Sequence, residues 1–331
     1  MGFLFSGSAL STYSRPHLTF PDQLALLKSR GLAASDDLAA LSYLRRNGYY
    51  RLSAYWYPFR RSRFMAVGNA IHRITEDAFV VGATFEAAVR LYVFDKRLWM
   101  LVLDAIERLE VALRVDIAYN LGQKDPFAHI NASLLHGHFS VKLQKSGKTR
   151  HQEWLEKLDD LTDRSKEDFV AHFRAKYGNP LPIWVVIELW DFGLLSNFYA
   201  GMKPADRVAL AIRFGVPDDT LMSSWLRTLN YIRNIAAHHS RLWNRNMIDQ
   251  PKMPSAGQIP IFDPYLSTIN IGRPYATLCI LAYLMSQVCP RSQWRQRVLA
   301  LLRSFPATGI QSVDVLAMGC HPGWENEPFW N

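Results

Sequence analysis

Cysteine is scarce: the 331 residues hold three, Cys279, Cys289 and Cys320. An odd number at spacings that match no zinc pattern excludes a disulfide-stapled scaffold, and buried apolar thiols in a reducing cytoplasm are the expectation. Long apolar runs are missing too. The longest uncharged stretch, from Pro274 to Pro290, contains Thr277, Ser286 and Gln287 and is too short for a bilayer span, so it reads as a buried helix. The start of the chain has no basic segment leading into an apolar core, so neither a secretory signal nor a membrane partner is expected. Strand-like alternation is nearly absent, which predicts a mostly α-helical fold.

What is present is charge and apolar mass. Hydrophobic residues make up 49% of the chain, enough for one large or two modest cores. Lysine and arginine outnumber acids by 38 to 29, a net +9 that favours nucleic acid or an anionic surface. The excess is uneven. Residues 1–75 carry ten basic side chains against three acids, residues 76–199 carry 15 against 18, and residues 200–331 carry 13 against 8.

One stretch concentrates chemistry. Placed on a single helix from Ser223 to Arg245, Trp225, Leu229, Ile232, Ala236, His239 and Trp243 fall on one side, as a core-facing stripe does. Arg227, Asn230, Asn234, His238, Arg241 and Arg245 fall on the other, with no acid between Arg227 and Arg245. Such a face suits a polyanion. Histidine can move a proton near neutral pH, and arginine is a permanent forked donor to phosphate oxygens. Together they supply what RNA cleavage by its own 2′-hydroxyl needs, with no metal or other cofactor. The bland readings stand beside this: His239 as a packing residue, His238 as an ordinary surface histidine.

Along the chain, residues 1–16 are Ser-rich and expected to carry little order. Thr19 should cap a helix ending near Gly31, and a second should run from about Asp36 to Asn47. Arg45, Arg46, Tyr49, Tyr50, Arg51, Tyr55, Trp56 and Arg60 then interleave bases with aromatics, a pattern that can stack nucleobases and hold phosphates; the alternative is a small aromatic core with a wet basic edge. Residues 62–83 read as a loop or short hairpin. Thr84 should cap a long core helix from Phe85 to about Leu121, whose other side offers Glu107 or Glu110 as ion-pair supports for the basic helix. Residues 123–150 read as an irregular insertion. Its histidines, with His151, have no cysteine partners, and no metal site is expected. One charged helix is expected over Gln152 to Tyr177, a buried helix broken near Gly193 over 181–199, and another helix over Lys203 to Phe214. A Pro-rich surface excursion comes next over about 246–274, then a basic helix from Ser292 to Phe305. The expected division is a basic, aromatic N-terminal region over 1–83 and a helical region over 84–331.

Several segments together resemble the Abi-like family of abortive-infection proteins, of the AbiD and AbiF type. They are Leu18-Thr19-Phe20 with Gln23-Leu24, Asn47 to Ser53, Phe94-Asp95-Lys96-Arg97-Leu98 with Asp104 to Glu107, Leu181-Pro182-Ile183-Trp184, Asn230 to Asn234 with Ala237 to Arg245, and the Trp324 to Trp330 tail. They span nearly the whole chain in order. The resemblance implies an all-α, HEPN-like helical bundle with an N-terminal extension and irregular insertions. It also implies a metal-independent endoribonuclease of a phage-defence or toxin–antitoxin system, with Arg233, Asn234 and His238 catalytic. Arg241, Asn244, Arg245 and Arg227 would then hold flanking phosphates, with Glu107 and His239 in support. Two motifs from two protomers would form one site, and only one such motif is found in the chain, so a homodimer is expected. RNA is the expected partner, as substrate and also as a noncoding antitoxin, since some relatives are paired with one. The second reading is a structured-RNA-binding protein that does not cut. A bundle that binds only proteins is the third.

Overall fold

A computed structural model describes residues 16–67 and 70–330. Apart from Pro16 the Ser-rich start lies outside these residues, as do Gly68 and Asn69 within the expected loop or hairpin over 62–83. The chain divides into two compact units, residues 1–89 with 308–310, and residues 90–307 with 311–331.

The first unit is built on local signals that its sequence carries openly. Helix α1, Phe20–Ser29, opens with a reciprocal cap between Thr19 and Asp22, and Pro21 sits in its first turn. Asp36 caps α2, Asp37–Asn47, by accepting the Ala39 N–H at 2.9 Å. Gly48, at φ +78°, separates α2 from α3, Tyr49–Trp56. A two-stranded antiparallel sheet comes after α3, β1 (Arg60–Val67) against β2 (Ala70–Phe79), with Ser62 opposite Thr75, Met65 opposite His72 and a register shift between Arg60 and Ser62. Leu27, Leu44, Leu52, Tyr55, Trp56 and Phe59 form the core.

The long helix α4, Phe85–Gly122, gives its first turn to the first unit and the rest to the second. Thr84 Oγ1 caps it by accepting the Ala87 N–H at 3.1 Å. Leu98, Val102, Ile106, Leu109, Leu113 and Ile117 are all buried, the expected apolar stripe. In the irregular segment after α4, a single turn, α5 (Gly137–Ser140), is the only α-helix, and Phe139 from it is buried.

The charged stretch expected as one helix is two, α6 (Arg150–Arg164) and α7 (Asp168–Tyr177). Asp159, Asp160 and Asp163 load the C-terminal end of α6 with negative charge, where the helix dipole resists it, and the chain turns at Ser165. Arg174 of α7 closes the corner by donating to Asp163 at 2.7 Å. The break expected at Gly193 lies earlier. The short α8, Ile183–Val186, runs into a 3₁₀ turn, and Asp191 caps α9, Phe192–Gly201, by accepting the Leu194 N–H at 2.7 Å. Gly193 is inside α9, where a Cβ would lie 3.2 Å from Asp191 Oδ1 and 3.5 Å from Asn230 Oδ1, so its missing side chain sets close approach rather than a break.

Helix α10, Pro204–Arg213, leads to α11, Asp219–Ala237. The segment after α11 is irregular as expected but not wholly at the surface: Met247, Ile259 and Phe262 are buried, and Phe262 lies against Trp225, Tyr283 and Phe329. Helix α12, Pro274–Val288, is buried on nearly every side, as its uncharged sequence demands. After α13, Trp294–Arg303, the tail returns to α12. Tyr275 OH donates to Glu327 at 2.7 Å and receives the Trp330 indole N–H at 3.0 Å. No helix among the described residues is long and apolar enough to cross a membrane.

Candidate functional site

Helix α11 starts where Asp218 Oδ1 accepts the N–H groups of Thr220 and Leu221 at 2.7 and 3.0 Å. Trp225, Leu229, Ile232 and Ala236 are buried along its inner side. The helix then stops at Ala237, eight residues short of Arg245, the end of the expected run. His239 takes the left-handed conformation, φ +55°; its N–H reaches Ala236 O and the Ser240 N–H reaches Ile235 O, both at 3.0 Å. That pair is a Schellman closure, with histidine in the place glycine usually fills. His238 and His239 are both exposed. His239 was expected on the apolar side; its left-handed backbone swings it off the helix stripe, and its ring lies 5.5 Å from that of Trp99.

A carboxylate 147 residues away in the chain fixes the backbone just beyond this turn. Asp95, fully buried on α4, accepts the Leu242 N–H at 2.9 Å and the Trp243 N–H at 2.8 Å, one with each oxygen. Two orphan amides and one buried charge satisfy each other, and the chain behind the helix is pinned to α4. In the sequence Asp95 falls on the apolar stripe of α4, between Leu91 and Leu98; a charge on a core face is the signal that marks such a clamp.

The clamp takes Arg241, Asn244 and Arg245 off the helix on which they were expected. Arg245 Nε donates to Tyr231 OH at 2.8 Å, and the Asn244 carbonyl accepts from Arg273 at 2.6 Å. Arg227 remains on α11 and exposed, yet Asp249 from the succeeding loop stands 3.5 Å from it. The strip without acids in the sequence is therefore not without acids in space.

Arg233 and Asn234 do meet: Arg233 Nη1 donates to Asn234 Oδ1 at 3.3 Å on the last full turn before exposed His238. Behind them runs a polar seam between α4, α9 and α11. Arg114 pairs with Glu110 and also donates through Nε to the Trp190 carbonyl at 3.1 Å. Burial pushes the Glu110 carboxyl above the ordinary range, and the charges of Arg114 and Arg233 pull it back down. Glu110 is half-buried and feels the charge of Arg233, whereas Glu107 is exposed. The sequence left these two open because they lie three residues apart and face similar directions.

In the first unit the aromatic-basic segment separates by burial. Arg45, Arg46, Tyr50 and Arg51 are exposed, and Tyr49 lies edge-on to Trp56 at 5.2 Å. Tyr55 and Trp56 are 1% and 0% exposed, so neither can stack a base; they are core. Arg60 is engaged by Asp77 at 3.3 Å and by the Tyr57 ring at 5.6 Å. The scattered histidines form two pairs: His151 Nε2 lies 2.7 Å from His129 O, and the His136 and His138 rings stack at 5.4 Å. Among the described residues no group of three or more His, Cys, Asp or Glu side chains could hold a metal ion.

The class this defines is a mostly helical protein with an arginine, an asparagine and an exposed histidine gathered at a clamped helix end. A family model described as Abi-like protein matches residues 42–244, more than half of the chain, and the chain belongs to that family, whose members act in abortive infection, a defence against phage. The match runs from α2 to Asn244, just past the clamped turn. No curated protein and no solved structure gives a significant match.

Proposed function

We propose that this Abi-like protein is a metal-independent endoribonuclease of the HEPN type that works as a homodimer. The observation that carries the reading is the Arg233–Asn234 contact one turn before exposed His238, in a chain segment that Asp95 holds in place. In the reaction an RNA 2′-oxygen loses its proton and attacks the neighbouring phosphorus. The bond to the 5′-oxygen breaks, and that oxygen takes up a proton, leaving a 2′,3′-cyclic phosphate and a 5′-hydroxyl. One imidazole cannot serve as free base and as acid at the same moment, so the His238 of each of two copies would fill one role. Arg233 neutralises charge on the non-bridging oxygens, and Asn234 sets the angle of its guanidinium. Arg241 and Arg245 supply charge for flanking phosphates.

Purified parent, His238→Ala and Arg233→Ala proteins, incubated with total RNA in a chelator and expressed in cells, test this. The parent should cut RNA to cyclic-phosphate ends and arrest growth, and each variant should lose at least about 100-fold in rate. Variants that cut and arrest as the parent does sink the reading. The exposed Arg45, Arg46, Tyr50 and Arg51 support a second one, an RNA-binding protein restrained by a bound noncoding RNA. Copurification of one discrete, uncut RNA, with a steep salt dependence of binding, would favour it.

A further inference from the structure

The second unit contains a cavity of about 530 Å³, bounded by α6, α7, the loop before α8 and the end of the irregular segment at His129. Its size is that of a pocket for a molecule of drug-like dimensions. Three features set its chemistry. Leu155, Leu158, Leu181 and Val186 give it apolar walls. His129, 2% exposed, forms part of the lining. Asp159 and Asp163, one turn apart on α6, line the same space. Asp163 is engaged by Arg174, whereas Asp159 has no cation paired with it among the described residues and stands near Asp163, Asp160 and Glu156.

We infer that this cavity binds a small organic cation with an apolar body and a guanidinium or amidinium head. The head would pair with Asp159 and the body would fill the apolar walls. A planar guanidinium fits better than an ammonium, because it is weakly hydrated and offers a carboxylate two parallel bonds. Burial holds the His129 imidazole neutral, at about 4, so it carries no charge against a cation at pH 7. Nothing in this assignment depends on RNA cleavage, so it stands or falls by itself.

Titration calorimetry of the full chain with phenylguanidinium and with phenylurea, its neutral isostere, tests it. Phenylguanidinium should bind at least about tenfold tighter. Asp159→Asn, at an exposed position, should remove that preference while thermal unfolding stays unchanged. Leu155→Trp, on a half-buried wall, should abolish binding of both compounds. Equal affinity for the two, no binding of either, or a preference that survives in Asp159→Asn each overturns the proposal.

Discussion

Asp95 offers the sharpest test of how the site is held. Alanine there leaves the Leu242 and Trp243 N–H groups buried without acceptors, at about 1–3 kcal/mol each, toward the upper end because the lost acceptor is charged. Removing a fully buried carboxylate also returns its own desolvation cost, which offsets part of this. The net expectation is a loss of about 2–4 kcal/mol from the second unit. Asparagine keeps one carbonyl acceptor and turns an NH₂ toward the other amide, so about half of that loss should remain. Nine of the ten tryptophans, all but Trp56, lie between residues 90 and 331, so urea unfolding followed by tryptophan fluorescence reads the right unit. Hydrogen exchange at the Leu242 and Trp243 amides should accelerate well before global unfolding. Exposed Lys96→Ala, the next residue, should change nothing. A loss under about 1 kcal/mol in Asp95→Ala, with both amides still protected, would refute the clamp.

Three further outcomes rest on single features. Burial holds His129 neutral down to about 4, against 6.5 for the free group; between these values the unfolded chain binds a proton that the folded one does not. Stability should therefore be full above about pH 6.5, fall by about 3 kcal/mol as pH drops through that window, and level off below it. His129→Gln should flatten the urea midpoints measured across pH 7 to 4, and parallel curves would contradict the assignment. A Cβ on Gly201 would collide with the buried Phe139 ring, so Gly201→Ala should lower the thermal midpoint by the equivalent of about 1–3 kcal/mol. His239→Gly should be tolerated at its left-handed position, whereas His239→Val should cost about 1–2 kcal/mol in urea unfolding; equal stability of the two variants would show that the turn relaxes.

Much of the architecture could be read from local signals. The Thr19 and Thr84 caps, the apolar stripe of α4 and the uncharged α12 each state their structure within a few residues. Local signals fail where a distant partner decides the conformation. A continuous helix through Arg245 was reasonable because His239 is not glycine; the chain leaves the helix there because a buried aspartate from another helix seizes the next amides. Tyr55 and Trp56 looked like base-stacking aromatics because composition does not report which face is covered. The Arg233–Asn234 pair was legible, being adjacent in sequence and on one turn. The influence of Arg233 on Glu110 was not, since it depends on how α4 and α11 pack.

The span of the Asp95 clamp has a bearing on synthesis. Its two halves are 147 and 148 residues apart, so a growing chain exposes the Asp95 side long before Leu242 and Trp243 leave the ribosome. The tail that seals α12 through Glu327 and Trp330 emerges later still. The backbone behind the histidine turn can therefore be pinned to α4 only after synthesis has passed Trp243, after all of α11 has been made.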